Sequence, residues 1–69
     1  METIKLRDDF IKLGQALKAA GLVGSGVEAK IVIQDGEVKV NGQIETQRGK
    51  KLYDGDVVDF DGNTIKIVK

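Results

Sequence analysis

The sequence contains no cysteine and no histidine among its 69 residues. Without cysteine, no disulfide can stabilise the fold and no thiolate can bind a metal. Without histidine, the chain lacks the commonest metal ligand and the commonest general base. We therefore expect no metal site, no cofactor and no histidine-dependent catalysis.

Long apolar runs are also missing. No stretch approaches the roughly 18 apolar residues that a membrane-spanning helix needs. The first ten residues, METIKLRDDF, lack the apolar centre of a signal peptide. We therefore expect a cytoplasmic protein without a membrane partner, folded as one domain over residues 1–69. A chain of this length buries only roughly 60% of its unfolded surface, so its core is small.

Neither sign of charge is in excess, because 11 basic residues balance 11 acidic ones. Strong, indiscriminate binding to nucleic acid depends on summed positive charge, and zero net charge argues against it. The distribution of charge is uneven, however. Residues 46–53 carry three positive charges and no negative one, whereas residues 54–61 carry four negative charges and no positive one. The first of these segments could face a phosphate backbone, and the second would repel it.

The first helix is predicted by apolar residues at i, i+3, i+4 and i+7: Leu13, Ala16, Leu17 and Ala20. This spacing predicts an amphipathic helix over residues 9–20. Asp8 or Asp9 is a suitable N-cap, and Gly21 is a suitable end.

The second helix is predicted from Ser25 to Gln34. The Ser25 hydroxyl can accept a hydrogen bond from a free amide of the first turn, and Glu28 stands three residues on, as in a capping box. Gly36 can adopt the left-handed conformation that ends a helix. The helix has an apolar face and a polar face: Ala29, Val32 and Ile33 on the first, Lys30 and Gln34 on the second.

The rest of the chain shows strand and turn signals. Asn41-Gly42 is a strong hairpin signal because both residues tolerate positive φ, and Asp61-Gly62 is a second turn. The predicted strands are residues 3–6, 38–40, 43–46, 57–60 and 64–68. The first and last of these alternate and could pair. We therefore expect an α+β fold: an N-terminal strand, two packed helices and then a small, mainly antiparallel sheet.

Three motifs are better explained by structure than by chemistry. Residues 24–29 match the dinucleotide pattern G-x-G-x-x-A, but a helix rather than a strand precedes them. The four aspartates of residues 54–61 lack the spacing of a calcium loop. Ser25 has no histidine to activate it as a nucleophile. Nothing in the sequence supports catalysis.

One long pattern resembles a known family. It consists of Ala29-Lys30, Ile33, Gly36, Val38, Val40-Asn41-Gly42 and Gly55-Asp56. This pattern resembles the RNA-binding domain of the ribosomal protein S-four type, the alpha-L motif, and the resemblance covers about residues 12–60. The whole chain is also similar to the small stand-alone bacterial proteins of this family. The resemblance implies a non-catalytic RNA-binding protein.

The resemblance also implies where RNA binds, because the second helix and adjoining loops form the RNA face in this family. The matching positions are Lys12, Ser25, Lys30, Lys39, Asn41, Arg48, Lys50 and Lys51. Gln34 is a further candidate, because it lies four residues after Lys30 on the same exposed helical face. Arg48, Lys50 and Lys51 are expected to form a flexible basic loop. Asn41 could equally serve the turn alone. Gly26 and Gly14 depart from the family, which usually has a basic residue and an aspartate at these positions.

Structured RNA is the expected ligand. The three aromatic residues, Phe10, Tyr53 and Phe60, offer little of the stacking surface on which single-strand binders depend. Recognition of shape and backbone suits a folded RNA better. The resemblance implies ribosomal or transfer RNA, in translation or ribosome assembly. A ribosomal or other protein is a further possible partner, and we expect a monomer.

Two other functions remain open at this point. Helices over residues 9–20 and 25–34 fit loosely to a helix-turn-helix DNA binder, and preference for a DNA duplex would favour it. A small domain that binds a protein at a sheet edge would suit the neutral net charge, and salt-insensitive binding to a protein would support it.

Overall fold

The computed structural model describes residues 2–69, which form two helices and seven strands. In chain order the elements are β1 (Glu2–Lys5), β2 (Ile11–Lys12), α1 (Leu13–Ala19), α2 (Gly26–Gln34), β3 (Val38–Val40), β4 (Gln43–Ile44), β5 (Lys51–Leu52), β6 (Val57–Phe60) and β7 (Asn63–Val68). Five strands form a sheet in the order β1-β7-β6-β3-β4, and β2 and β5 form a separate ribbon. All pairs are antiparallel except β1 with β7. The predicted α+β class and the mainly antiparallel sheet are confirmed.

The two ends of the chain pair with each other. Strand β1 lies parallel to β7, with Ile4 opposite Ile67, and the Leu6 amide donates to the Val68 carbonyl at 2.7 Å. This confirms the predicted pairing of the first and last strands.

The prediction that α1 starts near Asp9 is wrong. Ile11 and Lys12 are extended because they pair with Leu52 and Lys51, so the helix begins only at Leu13. Asp9 therefore does not cap it. Its carboxylate accepts a hydrogen bond from the Lys69 ammonium at 3.0 Å, and this bond and the negative charge raise the pKa of Lys69 above its usual value.

Helix α2 matches its predicted bounds. The Ser25 hydroxyl accepts a hydrogen bond from the Glu28 amide at 3.2 Å, as expected of an N-cap. The predicted capping box is only half formed, because the Glu28 carboxylate accepts from the Gly24 amide rather than from that of Ser25.

The core lies between the two helices and one face of the sheet. Its largest fully buried side chains are Leu13, Leu17, Ile33, Leu52, Ile65, Ile67, Val38 and Val58. Burying an aliphatic side chain of this size is worth roughly 1.5–3 kcal/mol. Alternation along β3 turns Val38 and Val40 into the core and leaves Lys39 exposed on the opposite face.

Both predicted turns have the expected geometry. Asn41 and Gly42 have φ of 52° and 83°, and Asp61 and Gly62 have φ of 50° and 79°. Two successive positive φ values are typical of the tight turn that suits the twist of a hairpin.

Candidate nucleic-acid interface

A groove of about 390 Å³ opens where α1, the start of α2 and the segment before β5 meet. We call it the basic groove, and it is lined by Lys12, Gly14, Gln15, Lys18, Gly26, Arg48 and Gly49. Three of these side chains are cationic, and none of the described residues that line the groove is acidic. A chain of zero net charge therefore still presents a locally positive surface.

The segment that carries Arg48 is anchored to the first turn of α1. The Leu13 amide donates to the Lys50 carbonyl at 2.8 Å, and the Gly14 amide donates to the Arg48 carbonyl at 3.1 Å. The first amides of a helix have no partner within the helix. These two bonds therefore give partners to two amides of α1 and to two carbonyls of the segment before β5. The predicted loop is therefore anchored to a helix end at Arg48 and Lys50, and Lys51 lies in strand β5 rather than in the loop.

Gly14 leaves room for the Arg48 side chain. A Cβ at Gly14 would lie 2.6 Å from Arg48 Cγ, closer than two carbon atoms approach, and 3.2 Å from Arg48 Cδ, so the Arg48 side chain would have to shift. The aliphatic part of Arg48 therefore passes directly over the backbone of α1. This contact gives a physical reason for glycine where the family usually has aspartate.

Lys12 and Lys51 also meet at this surface. They lie opposite each other in the β2–β5 ribbon, and both are exposed. Lys12 lines the basic groove together with Arg48. The structure thus brings together Lys12, Arg48 and Lys51, which are up to 39 positions apart in the sequence.

Helix α2 contributes its first turn and one side. Gly26 lines the basic groove, and Lys30 follows four residues later, on the same side of the helix. Gln34 is exposed at the last residue of the helix, farther from the groove. The Ser25 hydroxyl lies beside Gly26 and is already used as the cap of the helix.

Asn41 has a structural role at its turn. Its side-chain amide donates to Asp56 Oδ1 at 3.0 Å, and its oxygen accepts from the Val57 amide at 2.9 Å. These bonds favour the turn over RNA contact as the reason for asparagine. Lys39 lies on the outer face of the sheet opposite Asp59, whereas the helices pack on the inner face.

The sequence pattern did not single out Lys18 or Gln15, which both line the groove. Lys18 lies four residues after Gly14, so helical spacing places it on the groove side of α1. That spacing becomes informative only once Gly14 is known to face Arg48.

The acidic segment is engaged in structural hydrogen bonds. The carboxylates of Asp54, Asp56 and Asp59 accept from the Lys69 amide, the Tyr53 amide and the Thr64 hydroxyl, respectively. In the part of the chain that the structure describes, no cluster of acidic residues is arranged to hold a metal ion. Within residues 2–69, neither helix is long and apolar enough to cross a membrane.

Comparison with known proteins identifies similar chains. The family model for the S4 domain matches residues 4–68. The Escherichia coli protein YbcJ, whose name proposes RNA binding, is 40% identical over 69 residues, which is 99% of each chain. RlbA of Bacillus subtilis, whose name gives it a probable role in ribosome maturation, is 44% identical over 59 residues, covering 86% of this chain and 83% of RlbA.

A solved structure is similar in fold as well. The solution structure of E. coli YbcJ superposes with a TM-score of 0.77 at 37% identity and covers 100% of this chain and 89% of that one. It is described as an alpha-L motif involved in RNA binding. The resemblance on which the sequence interpretation rests is therefore confirmed.

Proposed function

The chain belongs to the S4 domain family of non-catalytic RNA-binding domains, and from that premise we propose that its basic groove receives the phosphate backbone of a structured RNA. The observation that carries this proposal is the convergence of Lys12, Lys18 and Arg48 around one groove without an acidic neighbour in its lining. Each phosphate that such a side chain neutralises releases counterions, and this release supplies affinity that falls with salt.

Rigidity of the groove supports recognition of a folded RNA. The Arg48 segment is fixed by two backbone hydrogen bonds to α1, so little conformational freedom is lost when it binds. A fixed backbone that presents cations from set positions suits the phosphates of a folded RNA better than those of a flexible single strand. Lys30, Lys50 and Lys51 would extend the contact on either side of the groove, and Ser25 and Gln34 are candidates for hydrogen bonds along α2. Both polar groups of the Asn41 side chain are already used by its turn.

We propose ribosomal RNA as the target, ahead of transfer RNA, with a role in ribosome assembly in the cytoplasm. The name of RlbA, which refers to ribosome maturation, supports this choice. In this proposal the chain acts as a monomer and as one RNA-binding domain over residues 1–69, and a ribosomal protein could contact it on the assembling particle.

Cross-linking in cells tests this proposal. The tagged protein is irradiated with ultraviolet light, and the attached RNA is sequenced for the wild type and for Arg48→Gln. We expect ribosomal RNA fragments that cluster at one folded site and decrease strongly with Arg48→Gln. Fragments scattered over messenger RNA, or unchanged by the substitution, would contradict it.

A further inference from the structure

Two aromatic rings extend the surface of the β2–β5 ribbon beyond its lysines. Ile11 lies opposite Leu52, and Lys12 lies opposite Lys51. Phe10 and Tyr53 therefore occupy the next pair of facing positions in the same antiparallel register. Their ring centroids are 6.1 Å apart with an angle of 52° between the planes. The two rings therefore form a pair at the open end of the ribbon.

Strand alternation puts these rings on the same face as the lysines. Leu52 is fully buried and Ile11 packs against the core, so the inward face of the ribbon is apolar. Residues on either side of them point outward, because side chains alternate along a strand. The outward face thus carries Phe10, Lys12, Lys51 and Tyr53, which we call the lysine–aromatic face.

The two rings are not equally available. The Lys51 ammonium lies 4.8 Å from the centroid of the Phe10 ring, which is half-buried. Tyr53 is 49% exposed, so about half of its surface is accessible to a ligand. Its backbone is fixed, since its amide donates to Asp56 Oδ2 at 2.7 Å and its carbonyl accepts from the Asp56 amide at 3.0 Å. Tyr53 is therefore an exposed ring that is braced by Phe10 and held by a turn.

Charge changes sign across this ring pair. On one side lie Lys12 and Lys51, which continue into the basic groove. On the other side the chain continues into Asp9 and Asp54, whose carboxylates accept from the side chain and the backbone amide of Lys69. A nucleic-acid strand that ran on past Tyr53 would bring its phosphates against these carboxylates. The Lys69 ammonium offsets the charge of Asp9 but not that of Asp54, so the surface beyond the rings is less favourable to phosphates than the surface that carries Lys12 and Lys51.

We propose that Tyr53 is a stacking platform for a single unpaired base of the bound RNA, and this inference rests on the proposed RNA contact of the basic groove. The RNA would present a bulged, looped or terminal nucleotide whose base stacks on Tyr53, while its neighbouring phosphate contacts Lys51. Every base has an aromatic face, so the platform selects an unpaired position rather than a particular base. The ligand is then a folded RNA with a helix that is interrupted or ends beside the groove.

The experiment uses RNA hairpins with one stem sequence and different bulges. One hairpin has a single bulged adenosine, the second has an abasic linker at that position, and the third is fully paired. Affinities are measured at fixed low salt for the wild type, Tyr53→Leu and Tyr53→Phe. The abasic linker keeps the backbone but removes the base, so it isolates stacking.

We expect the wild type to bind the adenosine bulge about tenfold more tightly than the abasic bulge. Tyr53→Phe should keep this preference, whereas Tyr53→Leu should abolish it and leave binding to the paired hairpin unchanged. Equal binding of all three hairpins by the wild type, with normal dependence on salt, would overturn the platform and leave the groove proposal intact. A preference that persists in Tyr53→Leu would also overturn the platform alone. Failure of every hairpin to bind would overturn both proposals.

Discussion

The side chains of Asn41 and Asp56 join two turns that are 15 residues apart, through a hydrogen bond of 3.0 Å from Asn41 Nδ2 to Asp56 Oδ1. Asp56 uses its other oxygen to accept from the Tyr53 amide, and Asn41 uses its oxygen to accept from the Val57 amide. One pair of polar residues thus fixes the turn after β3 to the turn between β5 and β6. This link explains why asparagine stands in the Asn41-Gly42 turn and aspartate in the Gly55-Asp56 turn.

Asn41→Ala should therefore lower stability rather than weaken RNA binding directly. It removes two side-chain hydrogen bonds, worth about 1–2 kcal/mol together. It also places a residue with Cβ but no polar group at a φ of 52°, which adds about 1 kcal/mol or more. Chemical denaturation measures the change.

Asn41→Gly is the matched control, because glycine adopts positive φ freely and loses only the hydrogen bonds. We expect a smaller loss of stability than with alanine. If both variants keep full stability but lose RNA affinity, then Asn41 contacts RNA and the structural explanation is wrong.

Gly14→Ala should weaken RNA binding while changing stability little. A methyl group at residue 14 would meet Arg48 Cγ at 2.6 Å and push this side chain out of the basic groove. Alanine favours a helix by up to about 1 kcal/mol over glycine, which offsets part of the cost of the clash. A three- to tenfold loss of affinity, about 0.7–1.4 kcal/mol, is expected in a binding titration.

Gly24→Ala serves as the control, since nothing lies within 4 Å of a Cβ at residue 24. It should bind RNA like the wild type. An equal effect of the two substitutions would show that the contact between Gly14 and Arg48 does not position the guanidinium.

Gly26→Lys should strengthen RNA binding. Gly26 lines the basic groove, and a Cβ there would meet nothing within 4 Å, so a side chain can start at this position without displacing a neighbour. An added cation at the first turn of α2 should increase the slope of log K against log salt by about one. Gly26→Gln adds similar bulk without charge and should leave the slope unchanged. A slope that does not respond to lysine would mean that RNA does not reach this end of the groove.

Local signals were sufficient to predict most of the fold. Ser25 as N-cap and the Asn41-Gly42 and Asp61-Gly62 turns mark their own positions, because each depends on neighbouring residues. The two-residue strands β2 and β5 could not be predicted, since two residues show no periodicity. Because these strands pair, α1 begins later than its apolar spacing suggests, and neither Asp8 nor Asp9 is placed to cap it.

The candidate site was predicted less completely than the fold. The resemblance to the family indicated Lys12 and Arg48 as separate positions in the sequence. Their convergence depends on long-range hydrogen bonds between α1 and the Arg48 segment, which no local pattern encodes. Lys39 shows the converse: its alternation with Val38 and Val40 correctly predicts an exposed side chain, yet its face of the sheet is turned away from the helices.

The central claim is that phosphate contacts are concentrated in the basic groove, and the salt dependence of RNA binding tests it most directly. The affinity for one folded RNA is measured at several salt concentrations for wild type, Arg48→Gln, Lys18→Gln and the control Lys66→Gln. Lys66 is exposed on β7, on the outer face of the sheet that also carries Lys39. We predict that Arg48→Gln and Lys18→Gln each reduce the slope of log K against log salt by about one, and that Lys66→Gln leaves it unchanged. Equal reductions by all three substitutions would contradict the claim, because they would show that RNA responds to overall charge rather than to the groove.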